Sequence, residues 1–225
     1  MKPKLTIALP KGKLFAPAKN VLEHCGLGCA QLSDQARTLI FEDECKEVRY
    51  IICRPTDLPT YVEHGAADLG IVGKDSIVEA GKNLYELVDL KFGYCRFAIA
   101  VPQDRLTPEG EFMWQPGFRI ATKFPAVARE YIQKKGLQGE IIKLHGNIEL
   151  APRVGLAEAI VDIVSTGKTL KENALVPIEY IGEATARLIV NRASYRLKAK
   201  EINTLVTAIK DFLEEKGGEN FDSFV

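Results

Sequence analysis

The sequence predicts an α/β protein built as two lobes. Apolar strand-like runs alternate with helix-like segments along the whole chain, which argues for an α/β architecture with a largely parallel sheet. The strand Gly93–Pro102 stands where that alternation restarts, and the apolar run Ile178–Val190 leads back toward the first block. Two lobes of about one hundred residues each leave a cleft between them. In such proteins ligands sit where the C-terminal ends of strands face the cleft.

The elements follow in order. Lys4–Leu9 reads as a strand and Phe15–Cys25 as a helix, with Val21 and Leu22 toward the core and Gly26 as its stop. Arg37–Phe41 and Glu47–Cys53 read as a strand pair joined by the acidic turn Glu42-Asp43-Glu44. A short helix over Asp57–His64 ends at Gly65. The strand Asp68–Val72 and a helix over Asp75–Ala80 come next. After the crossing strand, a loop with Pro108, Gly110, Pro116 and Gly117 surrounds the lone Trp114 and marks a boundary. The second block reads strand Phe118–Ala121, helix Pro125–Lys135, strand Glu140–Leu144, then a strand and helix over Ala159–Leu175. Ile178–Val190 returns as one strand. Lys198–Glu215 closes as a helix, with Ile202, Leu205, Val206, Ile209, Phe212 and Leu213 at helical spacing. On this reading residues 1–97 with 181–225 form one lobe and 98–180 the other.

Bulk properties exclude several classes. Lys and Arg total 30 and Asp and Glu total 30, so no net field favours nucleic acid or an anionic membrane. The apolar runs are shorter than a bilayer span, and the start MKPKLTIALP lacks a signal peptide's apolar region, which points to the cytoplasm. The five cysteines are scattered without a CxxC pair and show no ligand spacing with the three histidines, so a structural zinc is not expected.

The segment Ala159–Leu175 carries the most chemistry. An apolar strand interrupted by Asp162 runs into Ser165-Thr166-Gly167-Lys168-Thr169 and then a helix start. Turn N–H groups, the helix's first-turn N–H groups and three hydroxyls are the parts of a phosphate cradle, and Gly167 lets the backbone approach closely. Asp162 suits a polyol's hydroxyls better than a core. A capped helix start in an ordinary α/β domain would read the same. Elsewhere, Lys11 and Lys13 bracket Gly12 after the first strand, and Arg54 ends an apolar strand with Arg37 beginning its neighbour. Arg is suited to forked phosphate contacts. A solvated turn and a surface ion pair are the plainer alternatives. Gly65, Gly70 and Gly73 surround a short strand without forming a dinucleotide fingerprint, and Gly93-Tyr94-Cys95-Arg96 sits at the crossing strand. No Ser-His-Asp, Cys-His or paired-carboxylate arrangement is recognisable.

Taken in order, LPKGKL, RPTDLP, GAADLGIVGKD, FGYCRFAIAVP, Glu149-Leu150-Ala151-Pro152 and GLAEAIVDIVSTGKTLKENAL resemble the ATP phosphoribosyltransferase family from about Leu5 to Val190. The resemblance implies a type II periplasmic-binding-protein-like fold. It also implies joining adenine N1 of ATP to C1 of phosphoribosyl pyrophosphate (PRPP), with Mg²⁺ carried by the substrates. Glu149, Asp162 and the Ser165–Thr169 turn (Ser165, Thr166, Gly167, Lys168, Thr169) would bind PRPP. Arg54, Arg37 and Lys11 would be the catalytic cations facing pyrophosphate and ATP phosphates. Asp68, Gly70, Gly73, Cys95 and Arg96 would line the ATP side. The chain looks like a short form, which implies self-association and a regulatory subunit similar to a histidyl-tRNA synthetase catalytic core. The segment Lys198–Val225 is a candidate contact for that subunit: its helix carries an apolar stripe and its tail Gly217–Val225 carries Phe221 and Phe224, with packing of the stripe on the chain's own first lobe as the plainer alternative. The rival readings are a non-catalytic sensor of a phosphorylated metabolite and a purine-salvage phosphoribosyltransferase. Enzymes of the latter kind usually carry two adjacent acidic residues before the TG turn, where this chain has only Asp162, followed by Ile163.

Overall fold

The computed structural model describes residues 3–215, and the chain divides into two compact α/β units. Residues up to Tyr94 and from Thr185 onward form the first, and Cys95–Ala184 form the second. The tail Gly217–Val225 lies outside the described residues.

The first unit begins with β1 (Leu5–Pro10), α1 (Phe15–His24), β2 (Ile40–Asp43), β3 (Val48–Cys53) and α2 (Leu58–Glu63). It continues with β4 (Leu69–Gly73), α3 (Lys74–Ala80) and β5 (Tyr85–Asp89). In the second unit lie β6 (Cys95–Pro102), β7 (Phe118–Thr122), α4 (Pro125–Lys135), β8 (Gly139–Lys143) and α5 (Leu150–Arg153). β9 (Ala159–Val164), α6 (Lys168–Glu172) and β10 (Leu175–Ala184) complete it. The chain then re-enters the first unit with β11 (Ala186–Val190), α7 (Arg192–Leu197) and α8 (Ala199–Glu215).

The sheet orders are β2-β3-β1-β4-β11-β5 and β10-β6-β9-β7-β8. Both are mixed rather than largely parallel. β1 runs parallel to β3 and β4, and β7 parallel to β8 and β9. The strands that carry the chain between units, β6, β10 and β11, pair antiparallel. Each sheet is covered on both faces, as alternating residues require. In the first unit Ile7 and Leu9 join a core with Phe15, Val21, Leu22, Ile202 and Ile209, while Ala8 joins Leu58, Val62 and Ile77 on the other face. In the second, Ile99, Ile120 and Val161 pack under α4, and Ala98, Ala121 and Ile160 pack with Ala151 and Leu170 from α5 and α6.

Several sequence expectations need correction. The run Ile178–Val190 is two strands in two sheets, split at Thr185. β10 bends at irregularities near Pro177–Glu179 and Tyr180–Gly182, and an unbroken apolar pattern hid the change of sheet. β2 starts at Ile40, so Arg37 lies in a bend before it. The β2–β3 turn is formed by Glu44–Glu47, with Glu47 at φ +55°. β5 pairs with β11 as an edge strand that the sequence pattern did not reveal. The final helix begins at Ala199, within a residue of the predicted start, but a short helix that the pattern did not reveal, α7, precedes it. α7 starts on Asn191, whose side chain accepts hydrogen bonds from the N–H groups of Ala193 and Ser194.

The apolar stripe of α8 is spent within the chain: Ile202, Leu205, Ile209 and Phe212 are buried against the first unit's core, and Phe212 stacks on His24 at 4.3 Å. Burying each such side chain contributes about 1.5–3 kcal/mol. Ile209→Ala is therefore expected to destabilise the protein by about 2–5 kcal/mol in urea unfolding. A loss below 0.5 kcal/mol would mean the stripe has another partner.

Candidate functional site

In the second unit, β7 and β9 run parallel and end at one edge, so the residues that follow them become neighbours. After Val164 the chain passes through exposed Ser165 and Thr166 to Gly167, which precedes α6 at φ +75°. An L-residue is strained at that φ, and a Cβ there would meet only Val164 Cγ1 at 3.9 Å. Glycine is thus required by conformation, with open space above it. The backbone N–H groups of Ser165, Thr166 and Gly167 donate to no partner among the described residues, and the Ser165 and Thr169 hydroxyls likewise have none. Thr166 Oγ1 lies 3.5 Å from the Lys168 nitrogen. The turn offers unpaired donors to an anion.

Asp162 stands two residues before the strand end, on the sheet face of Ile160 and Val164. Its Oδ1 accepts the Ile163 N–H at 2.8 Å. Burial pushes its carboxyl up to about 6, and the nearby charge of Glu149 pushes the same way. The Ile163 N–H and the Lys123 ammonium oppose the shift. Glu149 occupies the position preceding α5 and is half-buried. Asp162, Glu149 and the Ser165–Thr169 turn therefore do come together. Lys123, which sequence reasoning missed, joins them. The available signal was a cation placed directly after an apolar strand, the same signal that singled out Arg54.

In the first unit the parallel strands β1 and β3 end together at Pro10 and Cys53. Lys11 and Arg54 follow them, and the Lys11 N–H donates to the Cys53 carbonyl at 2.8 Å. The Gly12 N–H donates to Asp34 Oδ2 at 3.2 Å, which fixes the bend containing Arg37 to the same loop. Lys11, Arg37 and Arg54 are exposed, and among the described residues none has a side-chain hydrogen bond or ion pair. Gly73 ends β4, the other parallel neighbour of β1. A Cβ on Gly73 would collide with the Asp75 carboxylate at the start of α3.

Two of the expected nucleotide-lining residues, Asp68 and Gly70, have structural roles. Asp68 precedes β4 at the opposite end of the strands from Lys11 and Arg54. Its Oδ2 accepts the Thr6 N–H at 2.8 Å and Lys198 Nζ at 2.6 Å, and its Oδ1 accepts Ser194 Oγ at 2.7 Å. With both oxygens engaged and 6% of its surface exposed, it is a structural anchor. Gly70 lies beneath α2: a Cβ would stand 2.7 Å from Leu58 Cδ2 and 3.2 Å from the Ala8 carbonyl oxygen, so its role is close helix–sheet packing. Cys95 is buried. Arg96 pairs in register with Val164, beside the cradle, but its guanidinium lies 3.7 Å over the ring of Tyr180.

The raised Asp162 pKa has a stability consequence of definite sign. The folded chain holds this proton more tightly than the unfolded chain does. The favourable contribution is full below the ordinary pKa of about 4 and is lost as pH rises from 4 through 6. Asp162→Asn is expected to stabilise the unliganded protein at pH 7.5 by up to about 2–3 kcal/mol, a gain that shrinks toward zero near pH 4. Thermal melts across that range check it. A pH-independent difference would show that burial is not what shifts the group.

Comparison with known proteins gives a consistent family. The family described as HisG: ATP phosphoribosyltransferase matches residues 54–211. An ATP phosphoribosyltransferase of Moorella thermoacetica is 56% identical over 209 residues, 92% of each chain. One from Desulfitobacterium hafniense is 53% identical over 215 residues, 93% of this chain and 96% of its own length. A chain in the solved ATP phosphoribosyl transferase (HisG:HisZ) complex from Thermotoga maritima has a TM-score of 0.81 at 34% identity, covering 94% of this chain and 99% of that one. The two-lobed α/β architecture, related to type II periplasmic binding proteins, agrees with that neighbour. The chain belongs to the ATP phosphoribosyltransferase family, pentosyltransferases that join ATP to PRPP in the first step of histidine biosynthesis.

Proposed function

We propose that the phosphoribosyl transfer uses the Ser165–Thr169 turn for the 5-phosphate of PRPP, with Asp162 and Glu149 facing the ribose hydroxyls. The carrying observation is the row of unpaired turn N–H groups and hydroxyls beside two carboxylates at one sheet edge. Phosphate asks for donors and a diol asks for acceptors, and each set lies where the other substrate group would follow. Lys11, Arg37 and Arg54 take the pyrophosphate and the ATP phosphates. Adenine N1 attacks with its own lone pair, so no general base is needed. The bond from C1 to pyrophosphate breaks as the bond from N1 to C1 forms. The protein contributes positioning and charge: donors that hold the ribosyl group, and cations that meet the charge growing on pyrophosphate. Mg²⁺ arrives with the pyrophosphate of PRPP, as its preference for phosphate oxygens and retained waters suggests, and supplies further charge on the leaving group. The carboxylate and hydroxyl oxygens near the cradle are compatible with that.

The chain also works with a regulatory subunit that confers histidine sensitivity, and it self-associates. The HisG:HisZ assembly of the Thermotoga maritima neighbour supports the partner. Among the described residues no helix is long and apolar enough to cross a membrane, which is compatible with a cytoplasmic enzyme. Asp68, Gly70 and Cys95 are left out of the ATP site here. Gly73 and Arg96 remain candidates for it.

Formation of the N1-adduct, followed by ultraviolet absorbance with ATP and PRPP, tests the activity. In the same assay Ser165→Ala/Thr169→Val is expected to weaken PRPP binding at least about tenfold, since each donor to a charged oxygen is worth about 1.5–3 kcal/mol. The melting temperature should stay unchanged, because neither hydroxyl has a partner among the described residues. Unaltered PRPP affinity in a folded variant would remove the cradle assignment. Arg54→Ala is expected to lower turnover by about 2–3 kcal/mol of transition-state stabilisation, with a smaller rise in the Michaelis constants. Normal turnover at saturating substrates would make Arg54 a bystander.

A further inference from the structure

We propose that Lys123 is a further substrate-binding residue of the second unit, its ammonium contacting an anionic oxygen of PRPP beside the ribose. The proposal rests on the reading of the cradle given above and extends it to a residue outside every motif of the sequence.

Position comes first. β7 and β9 are parallel, with Thr122 paired to Val161, so Lys123, the first residue after β7, follows on beside Asp162, the next residue of β9. The backbone that delivers Lys123 is fixed on both sides. Thr122 is fully buried, its Oγ1 donates to the Val161 carbonyl at 2.7 Å, and the same oxygen accepts the Phe124 N–H at 2.8 Å. Phe124 is itself buried against Phe97 at 5.1 Å between ring centroids, and Pro125 opens α4 directly after it. Two anchored neighbours thus hold the Cα of Lys123 while its side chain is exposed. Among the described residues this side chain makes no hydrogen bond and no ion pair within 4.0 Å. A rigid mount with a free cation is the arrangement of a ligand contact. A surface lysine serving only solubility needs no such mount.

Charge gives the second argument. Asp162 and Glu149 place two carboxylates where a highly anionic substrate must bring its ribose. Without a cation the pair would repel the phosphates they flank. Lys123 is the cation acting on Asp162, and it opposes the upward push of burial and of Glu149 on that carboxyl. The groups bearing on Asp162 are Glu149 from the start of α5, Lys123 from the end of β7 and the Ile163 N–H on its own strand. One ammonium therefore favours the ionised carboxylate that accepts the ribose hydroxyls and neutralises part of the phosphate charge.

The test is calorimetric titration of the full chain with PRPP, ribose 5-phosphate and ATP, using Lys123→Met, Lys123→Gln and Lys123→Arg. The Met and Gln variants are expected to weaken PRPP roughly tenfold, the scale of one charged contact, with Arg close to the parent and ATP unaffected. Equal loss for ribose 5-phosphate assigns the contact to the 5-phosphate, and loss confined to PRPP assigns it to the pyrophosphate. The acidic limb of kcat/KM for PRPP should also move to higher pH in the Met and Gln variants. PRPP affinity within twofold of the parent, or a loss shown by ATP alone, overturns the proposal. Ser165→Ala/Thr169→Val run beside them separates the two ideas. If it loses PRPP while the Lys123 variants do not, the cradle stands and Lys123 falls. If neither loses PRPP, both fall.

Discussion

In a parallel pair of strands both chains finish at the same edge, so the residues that follow them are neighbours however distant in sequence. The parallel contacts of β1 with β3 and β4, and of β7 with β8 and β9, impose that arrangement on each unit. Lys11 and Arg54 meet because Pro10 and Cys53 are in register. Lys123 and Asp162 meet because Thr122 and Val161 are. The helices contribute by packing on the faces, which leaves the edge loops free to carry polar side chains. Shifting either register by one residue would exchange buried and exposed positions along a whole strand, so the cores that bury Ile7, Leu9, Ile120 and Val161 also fix the chemistry.

The edges are electrostatically incomplete, which suits the anionic substrates proposed for them. Among the described residues Lys11, Arg37 and Arg54 have no side-chain partner, and the second unit keeps a carboxylate whose burial disfavours its charge. Elsewhere opposite charges find each other, as in Arg49 with Glu42 at 2.7 Å and Arg119 with Glu158 at 2.6 Å. Such surface pairs contribute little to stability, yet they show that the chain pairs its charges readily where function does not prevent it. Sites preorganised for charged ligands commonly give up stability in the unliganded state. Asp162 shows such a cost in a single residue, since burial and the charge of Glu149 disfavour its ionised form.

Much of this was legible in the sequence. The alternation of apolar runs gave most elements to within a residue or two, and the strand, hydroxyl-rich turn and helix start read over Ala159–Leu175 are found as β9, the Ser165–Gly167 turn and α6. What escaped depended on partners far along the chain. β5 is a short, half-exposed edge strand whose pairing with β11 spans nearly a hundred residues, and no local period announces it. The apolar run before Val190 changes sheet at Thr185, a residue fixed by a side-chain hydrogen bond to Asp89 at 2.7 Å that no pattern reveals. Lys123 looked like one lysine among many until register put it beside Asp162.

Asp68, which the family resemblance puts on the ATP side, has both carboxylate oxygens engaged by the protein itself. Its structural counterpart in the second unit is Glu158. The segments Gly65-Ala66-Ala67-Asp68 and Gly155-Leu156-Ala157-Glu158 each lead into a strand parallel to an earlier one. In each, the acid accepts the N–H of that earlier strand's second residue, Thr6 at 2.8 Å and Arg119 at 2.6 Å, while its own N–H donates to the same residue's carbonyl at 2.8 and 3.0 Å. The side chain thus closes a backbone pair where the ladder begins, and further donors gather round it: Ser194 and Lys198 at Asp68, the Arg119 guanidinium at Glu158. Asp162 lies beyond this clasp, near the other end of its strand, where it receives one N–H and faces the like charge of Glu149. An acid at the start of a parallel strand is satisfied by the protein. Asp162, near the end of its strand, receives only the Ile163 N–H among the described residues, and the direction of the strand tells the two positions apart.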